Sequence, residues 1–342
     1  MLKHPLITTL AFIVLSLGLI PAGHADWYKE ERAIMGTSIL AELWSTDADR
    51  AHKGIAAVMG EMHRIDDLMS PFREGSELSL VNREAADHPV KISRELFDLI
   101  KRSLYFSRIS HGAFDITFSS VGYMYDYREG VVPTDAEIKK ALPGINYRHI
   151  VLDRQASTIR FARKGMRIDL GGIAKGYAVD NCIAILSKMG FDQALVTAGG
   201  DSRILGDKHG KPWMTGIRDP RRKDQSIVVI PLSNVAISTS GDYERYFMRD
   251  GVRYHHILNP KTGKSVRATR SATVIGPDAT TTDALSTTLF VLGWEKAMKL
   301  LQSLPGIDAV IIDSNGKLHY SSGLEPPRPP TAKPPIPADD RS

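Results

Sequence analysis

The sequence predicts an α+β fold of largely antiparallel sheets flanked by helices. Short β-branched or alternating runs recur along the whole chain, at 39–44, 158–161, 194–197, 227–230, 272–275 and 309–312. Helical patterns fall between these runs without the strict alternation of a parallel sheet. No Gly-x-Gly-x-x-Gly follows a strand, which points away from a doubly wound nucleotide fold.

The elements follow in order. Lys3 and His4 precede an apolar run at 6–20, then Pro21 and Ala22-Gly23-His24-Ala25. A basic start, a modest apolar stretch and small residues match a secretory signal peptide over 1–25, cut after Ala25, with a periplasmic destination. An uncleaved anchor is the alternative, although the run falls short of the ~20 residues a spanning helix needs. No cysteine stands at the cleavage point, as a lipoprotein signal requires. Ile55, Val58, Met59, Met62, Ile65 and Met69 recur at helical spacing and predict an amphipathic helix over 52–69. Leu96, Leu99, Ile100 and Leu104 mark a second helix, and Thr134 with Glu137 forms a capping box for a short third. A strand near 167–170 runs into Gly171-Gly172, and a helix follows to Met189, stopped by Gly190. A further helix starts near Asp278 and ends at Gly293, and 294–304 reads as one more, closed by Pro305. From Glu325 the chain is proline-rich and predicts an extended tail. The folded part is therefore 26–323, with 324–342 as tail.

Composition narrows the function. At 342 residues and 42% hydrophobic, the chain can build a sizeable core without a structural metal or disulfide. Its net charge of +5 is scattered, with only short clusters such as Arg221-Arg222-Lys223, so no nucleic-acid face is expected. The single cysteine, Cys182, permits no internal disulfide, and its neighbours Ile183 and Ile185 predict a buried, inert thiol.

Several segments carry chemistry. In Asp169-Leu-Gly-Gly-Ile-Ala-Lys175, two glycines let backbone N–H groups approach an anion at a helix start, with Lys175 in the first turn. An ordinary tight turn with a solvated lysine accounts for the same spacing. Asp283, Ser286 and Thr287 share one helical face and offer hard oxygens to Mg²⁺; a polar helical face capped by Asp278 is the alternative. His256, ahead of the turn Asn259-Pro260, can serve as base, donor or surface group. Gly112-Ala-Phe-Asp115, Gly199-Gly-Asp201 and Ser238-Thr-Ser-Gly-Asp-Tyr243 are weaker turns of the same kind.

Taken in order with Met35-Gly-Thr37, Ser70-Pro-Phe72-Arg73 and Asp283-Ala-Leu-Ser-Thr287, these segments resemble the ApbE family from about Tyr28 to Gly316. The resemblance implies a two-lobed, T-fold-like α+β architecture with the active site between the lobes. It implies an FAD:protein FMN transferase that uses Mg²⁺, takes FAD as substrate, releases AMP and leaves FMN on a Thr or Ser. The acceptor would be a flavoprotein subunit of a membrane electron-transfer or ion-pumping complex. Met35, Phe72, Ala113, Phe114, Asp115, Asp169, Lys175 and Leu258 would contact FAD. Gly172 through its carbonyl, Asp283 and Thr287 would hold the metal. Phe72 stands where the family often has Tyr or Trp, and Ser286 where some members have a second Asp. His256 or Asp283 would act as base. Water as acceptor would give an FAD pyrophosphatase instead, and loss of catalysis a flavin-binding protein. The sequence leaves oligomeric state open.

Overall fold

The computed structural model describes residues 26–222 and 225–324. The expected signal peptide over 1–25 and, apart from Leu324, the expected tail over 324–342 lie outside the described residues. Eight strands make one antiparallel sheet: β1 (Asp26–Ile34), β2 (Thr37–Ser45), β3 (Ala194–Ala198), β4 (Asp201–Leu205), β5 (Ala236–Gly241), β6 (Thr269–Gly276), β7 (Asp308–Asp313) and β8 (Leu318–Tyr320). Their order in space is their order in the chain, so the sheet is a meander into which the rest of the molecule is inserted. Between β2 and β3 lie α1 (Ala48–Met69), α2 (Glu77–Glu84), α3 (Arg94–Ile109), α4 (Ser119–Gly122), α5 (Asp135–Ala141) and α6 (Ala174–Lys188). Between β6 and β7 lie α7 (Ala279–Leu292) and α8 (Trp294–Leu301).

Local chemistry fixes the helix ends. Asp47 accepts from Arg50 N at 3.1 Å and starts α1, whose apolar spacing then buries Ile55, Val58, Met59, Met62, Ile65 and Met69. The Thr134–Glu137 capping box forms reciprocally and starts α5. Two carboxylates cap α7. Asp278 accepts from Thr281 N at 2.8 Å, and Asp180 of α6 accepts from Ala279 N and Thr280 N at 2.8 Å each. Amides that would otherwise be orphaned at that helix start are satisfied, and α6 is tied to α7.

Helices α1, α6 and α7 cover one face of the sheet and enclose the main core. Strand alternation sends Val196 and Ala198 into that core and Leu195 to the opposite face. There a hairpin of Trp213–Arg218 and Ser226–Leu232 closes a smaller cluster around Ile204, Trp213, Leu232, Ile237 and Ile275. A third, separate cluster holds Val121, Tyr125, Ile138 and Leu258. Tyr125 Oη donates to Gly263 O at 2.8 Å there, joining the insertion after α3 to the segment between β5 and β6. Cys182 is buried in α6, and burial raises its thiol pKa.

The expected strand at 167–170 does not form. No neighbouring strand pairs with it: Asn82 bonds both N–H and C=O of Ile168, at 2.7 and 2.9 Å, Ser120 Oγ accepts from Arg167 N at 3.0 Å, and Ile116 O accepts from Asp169 N at 2.9 Å. The segment is extended and apolar in alternation, which is why it reads as a strand. The last helix stops at Leu301, short of Pro305.

Candidate active site

The site is built where α6 and α7 touch. Gly176 makes that approach possible, since a Cβ there would lie 2.1 Å from Ala279 O and 2.8 Å from Asp283 Cβ. Its N–H donates to Asp283 Oδ2 at 3.0 Å. One residue earlier, Lys175 Nζ reaches Asp201 Oδ2 at 2.5 Å and Asp283 Oδ2 at 3.4 Å, and it donates to Gly171 O at 3.3 Å. Asp201 and Asp283 are each 2% exposed, so two carboxylates share one buried seam. Unpaired buried charge costs several kcal/mol per ion, and Lys175 offsets it. Burial draws the Lys175 ammonium down, but the two carboxylates outweigh it and hold its pKa above the ordinary lysine value. Burial, reinforced by Asp201, pushes Asp283 above the usual carboxylate range.

Hydroxyls continue the seam toward solvent. Ser238 Oγ meets Thr282 Oγ1 at 2.8 Å, and Ser240 Oγ meets Ser286 Oγ at 2.9 Å and Thr287 Oγ1 at 3.2 Å. Strand β5 thus zips onto α7 through small polar groups rather than apolar ones. Thr287 and Phe114 both abut Gly172, where a Cβ would lie 3.2 Å from Thr287 Oγ1 and 3.3 Å from the Phe114 ring. The glycine turn is therefore closed on one side by a hydroxyl and on the other by an aromatic. Asp169 Oδ1 accepts from Gly171 N at 2.6 Å and shapes that turn, with burial raising its pKa.

Three further turns meet here. Met35 and Gly36, at φ 55° and 67°, form the tight hairpin between β1 and β2, and Gly36 O accepts from Arg245 Nη2 at 3.2 Å. Gly199 packs on Thr37, and Gly200 lies so close to Thr239 O that a Cβ would sit 2.5 Å from it. His256 N donates to Arg245 O at 3.2 Å. The half-buried His256 ring is lowered to about pKa 3 by burial, with the charges of Arg245 and His255 adding to it, so it is neutral at pH 7.

The sequence-derived residues divide accordingly. Gly172, Lys175, Asp283, Thr287 and Phe114 come together at the seam, with Asp169, His256 and the Met35 turn beside it. Ala113 is 9% exposed in the turn that carries Phe114. Asp115 faces inward: it accepts from Thr117 N, Thr117 Oγ1 and Tyr147 N at 2.9, 2.6 and 3.0 Å, and burial raises its pKa. Its contacts pin the loop. Leu258 is 4% exposed in the cluster with Val121, Tyr125 and Ile138, and Phe72 is 85% exposed on the loop between α1 and α2. Asp201, Ser240 and Arg245 belong to the site without having been singled out as ligands. Asp201 and Ser240 each lay in a segment the sequence marked, the Gly199-Gly-Asp201 turn and the 238–243 segment, the latter read as a turn but forming the end of strand β5, whereas Arg245 carried no signal.

A family model for the ApbE family matches residues 35–311. The chain belongs to the ApbE family. An FAD:protein FMN transferase of Treponema pallidum (strain Nichols) is 33% identical over 316 residues, which is 87% of each chain. Another, from Klebsiella pneumoniae (strain 342), is 31% identical over 86% of this chain and 92% of its own. The ApbE protein of Thermotoga maritima has a similar structure, with TM-score 0.81 at 36% identity over 87% of this chain and 98% of that one. The flavin transferase ApbE from Vibrio cholerae gives 0.77 at 28%, covering 87% and 98%. The α+β, ApbE-like architecture expected from the sequence is thereby borne out. The donor set also suits a hard divalent cation in kind. Among the described residues, the hydrogen bonds to the Asp283 carboxylate fall on Oδ2 and none on Oδ1, and Thr287 lies one turn on beside Gly172. No group of three or more His, Cys, Asp or Glu side chains gathers as a cage among the described residues, so substrate oxygens would complete any shell.

Proposed function

We propose that this ApbE protein transfers the FMN half of FAD to a Thr or Ser hydroxyl of a partner flavoprotein, releases AMP, and does so with Mg²⁺ in the periplasm. Family membership supports the flavin-transferase reading. The observation that carries the finer reading is the α6–α7 seam: a buried carboxylate, a hydroxyl one turn on and an ammonium, all at a glycine turn that opens a helix.

The acceptor oxygen attacks the FMN phosphorus, the phosphoanhydride P–O bond breaks, and AMP leaves with that bridging oxygen. Gly172, Asp283 and Thr287 would hold Mg²⁺, which when bound supplies Lewis-acid neutralisation of the diphosphate. The amides at the start of α6 face the same charge, and Lys175 adds a donor where it builds on the leaving AMP. The acceptor hydroxyl must lose its proton, and His256, neutral at pH 7, is the group free to take it. Asp283 is the poorer candidate, because Lys175 and Gly176 already engage its Oδ2. Phe72, exposed on its loop, offers a ring for the flavin. The partner is an acceptor subunit of a membrane electron-transfer or ion-pumping complex.

The test mixes purified protein with FAD, Mg²⁺ and a candidate acceptor domain. Flavin fluorescence on the acceptor band, with one AMP released per flavin attached, is the expected result. AMP release at an undiminished rate without acceptor, and no labelled band, would replace the transferase reading with a pyrophosphatase.

A further inference from the structure

We propose that Lys175 is a built-in counter-ion that occupies the carboxylate pair Asp201–Asp283 before the divalent cation arrives, and that the cation evicts it toward the substrate's phosphates. This rests on the reading of Asp283 as a metal ligand. The distances motivate it. Lys175 Nζ is shared by two buried carboxylates, closer to Asp201 at 2.5 Å than to Asp283 at 3.4 Å. Asp201 is therefore the parking place, and Asp283 the group to be vacated.

Charge counting gives the direction of the exchange. With both carboxylates ionised, Asp201, Asp283 and Lys175 together carry −1. A divalent cation on Asp283 turns the cluster to +1 and sets two positive charges within a few ångströms of each other, a repulsion the seam does not screen well. The lysine has a four-carbon stem and a flexible ammonium, so it can swing out while its backbone stays in α6. Its outward neighbour is Gly171 O, in the turn that starts the anion-facing end of α6. A dinucleotide diphosphate placed there receives the displaced ammonium. Cation and substrate are thereby coupled: each makes room or charge for the other. The lysine also keeps the empty seam neutral enough to fold, because two carboxylates facing each other in a dry interior would repel. Asp201 thus acts as a positioning residue, holding Lys175 ready without touching substrate.

The experiment titrates Mn²⁺ into the full-length, flavin-free protein, with bound ion read by electron paramagnetic resonance and melting temperature followed in parallel. Lys175→Met is expected to bind Mn²⁺ about tenfold tighter or more than the native chain. It should melt lower without metal and recover with it. Lys175→Arg keeps the charge and should stay near the native affinity. Arg245→Gln removes a charge from the same neighbourhood but no ion pair with Asp283, and should change affinity far less than Lys175→Met. Equal Mn²⁺ affinity in the native chain and Lys175→Met overturns the exchange while leaving the metal assignment intact. Equal tightening by Arg245→Gln also overturns it, since general charge removal then explains the effect. No Mn²⁺ binding in any variant of the flavin-free protein overturns the exchange, because the cation then cannot evict Lys175 on its own, whereas the assignment of Asp283 as ligand is scored separately by Mn²⁺ binding and flavin transfer in the presence of FAD.

Discussion

Helix α1 meets the sheet through Ile55, Val58, Met59, Met62 and Ile65, whereas α7, two helices along the same layer, bonds to it through the hydroxyls of Thr282, Ser286 and Thr287 and to α6 through the carboxylate of Asp283. Both seams are buried and close-packed. The first gains from every methylene removed from water, about 1.5–3 kcal/mol per large side chain. The second gains little net from its hydrogen bonds and spends charge pairing on offsetting burial. The contrast separates what holds the fold from what does chemistry. It also explains the helices themselves: α1 exposes a polar face to solvent, while α7 buries residues on nearly all sides because the sheet, α6 and α8 surround it.

The comparison can be broken at several points. The largest expected effect is at Asp283. Asp283→Asn keeps its shape and removes the charge that would neutralise with the cation, and flavin transfer should fall about a thousandfold, several kcal/mol of transition-state stabilisation. Melting temperature, measured alongside, should change little or rise; a collapse of the fold would place Asp283 on the structural side of the contrast. Met62→Ala in the α1 seam is the mirror experiment. It should cost about 2–5 kcal/mol in denaturant unfolding and leave transfer per folded molecule unchanged. Loss of specific activity there would show that the two seams are mechanically coupled.

Gly176→Ala comes next, because its Cβ would collide with Ala279 O at 2.1 Å and force α6 from α7. About 1–3 kcal/mol of stability should be lost. Transfer should fall by more than that destabilisation explains, since Lys175 and Asp283 separate. A smaller effect is expected from Ser240→Ala. It removes the hydroxyl shared with Ser286 and Thr287, and about 1 kcal/mol of stability, with a several-fold drop in Mn²⁺ affinity as Thr287 loses its orienting partner. A pH effect is expected at His256 as well. Its folded pKa lies below the ordinary 6.5, so its stabilising contribution is complete above 6.5 and is lost as pH falls toward about 3. His256→Asn should flatten the acid side of the melting-temperature profile between those values. An unchanged slope would mean the acid loss comes from elsewhere.

How far the sequence revealed all this differs between the same two regions. The α1 seam was legible because burial imposes a period: Ile55, Val58, Met62 and Ile65 can be read off without a structure. The capping box at Thr134 and the cap at Asp278 were legible for the same local reason, a side chain answering a nearby amide. The polar seam has no period of its own. Asp283 and Thr287 were found through their shared face and family pattern, yet Asp201 is 82 residues from Asp283, and only the meander brings the start of β4 under Lys175. Ser240 lies in the 238–243 segment the sequence marked, but only the pairing of β5 against α7 sets it on Ser286 and Thr287, and Arg245 reaches the β1–β2 turn from beyond β5 without any local signal. The segment at 167–170 failed for a related reason, since Asn82 and Ser120 replace the strand partner that its alternation implies.

The most direct test is anomalous diffraction at the manganese edge from crystals grown with FAD and Mn²⁺. A single strong peak within coordination distance of Asp283, Thr287 and the Gly172 carbonyl, with the FAD diphosphate against it, is the result expected. A peak elsewhere, or FAD bound with Lys175 still on Asp283 and no ion between them, would contradict the account.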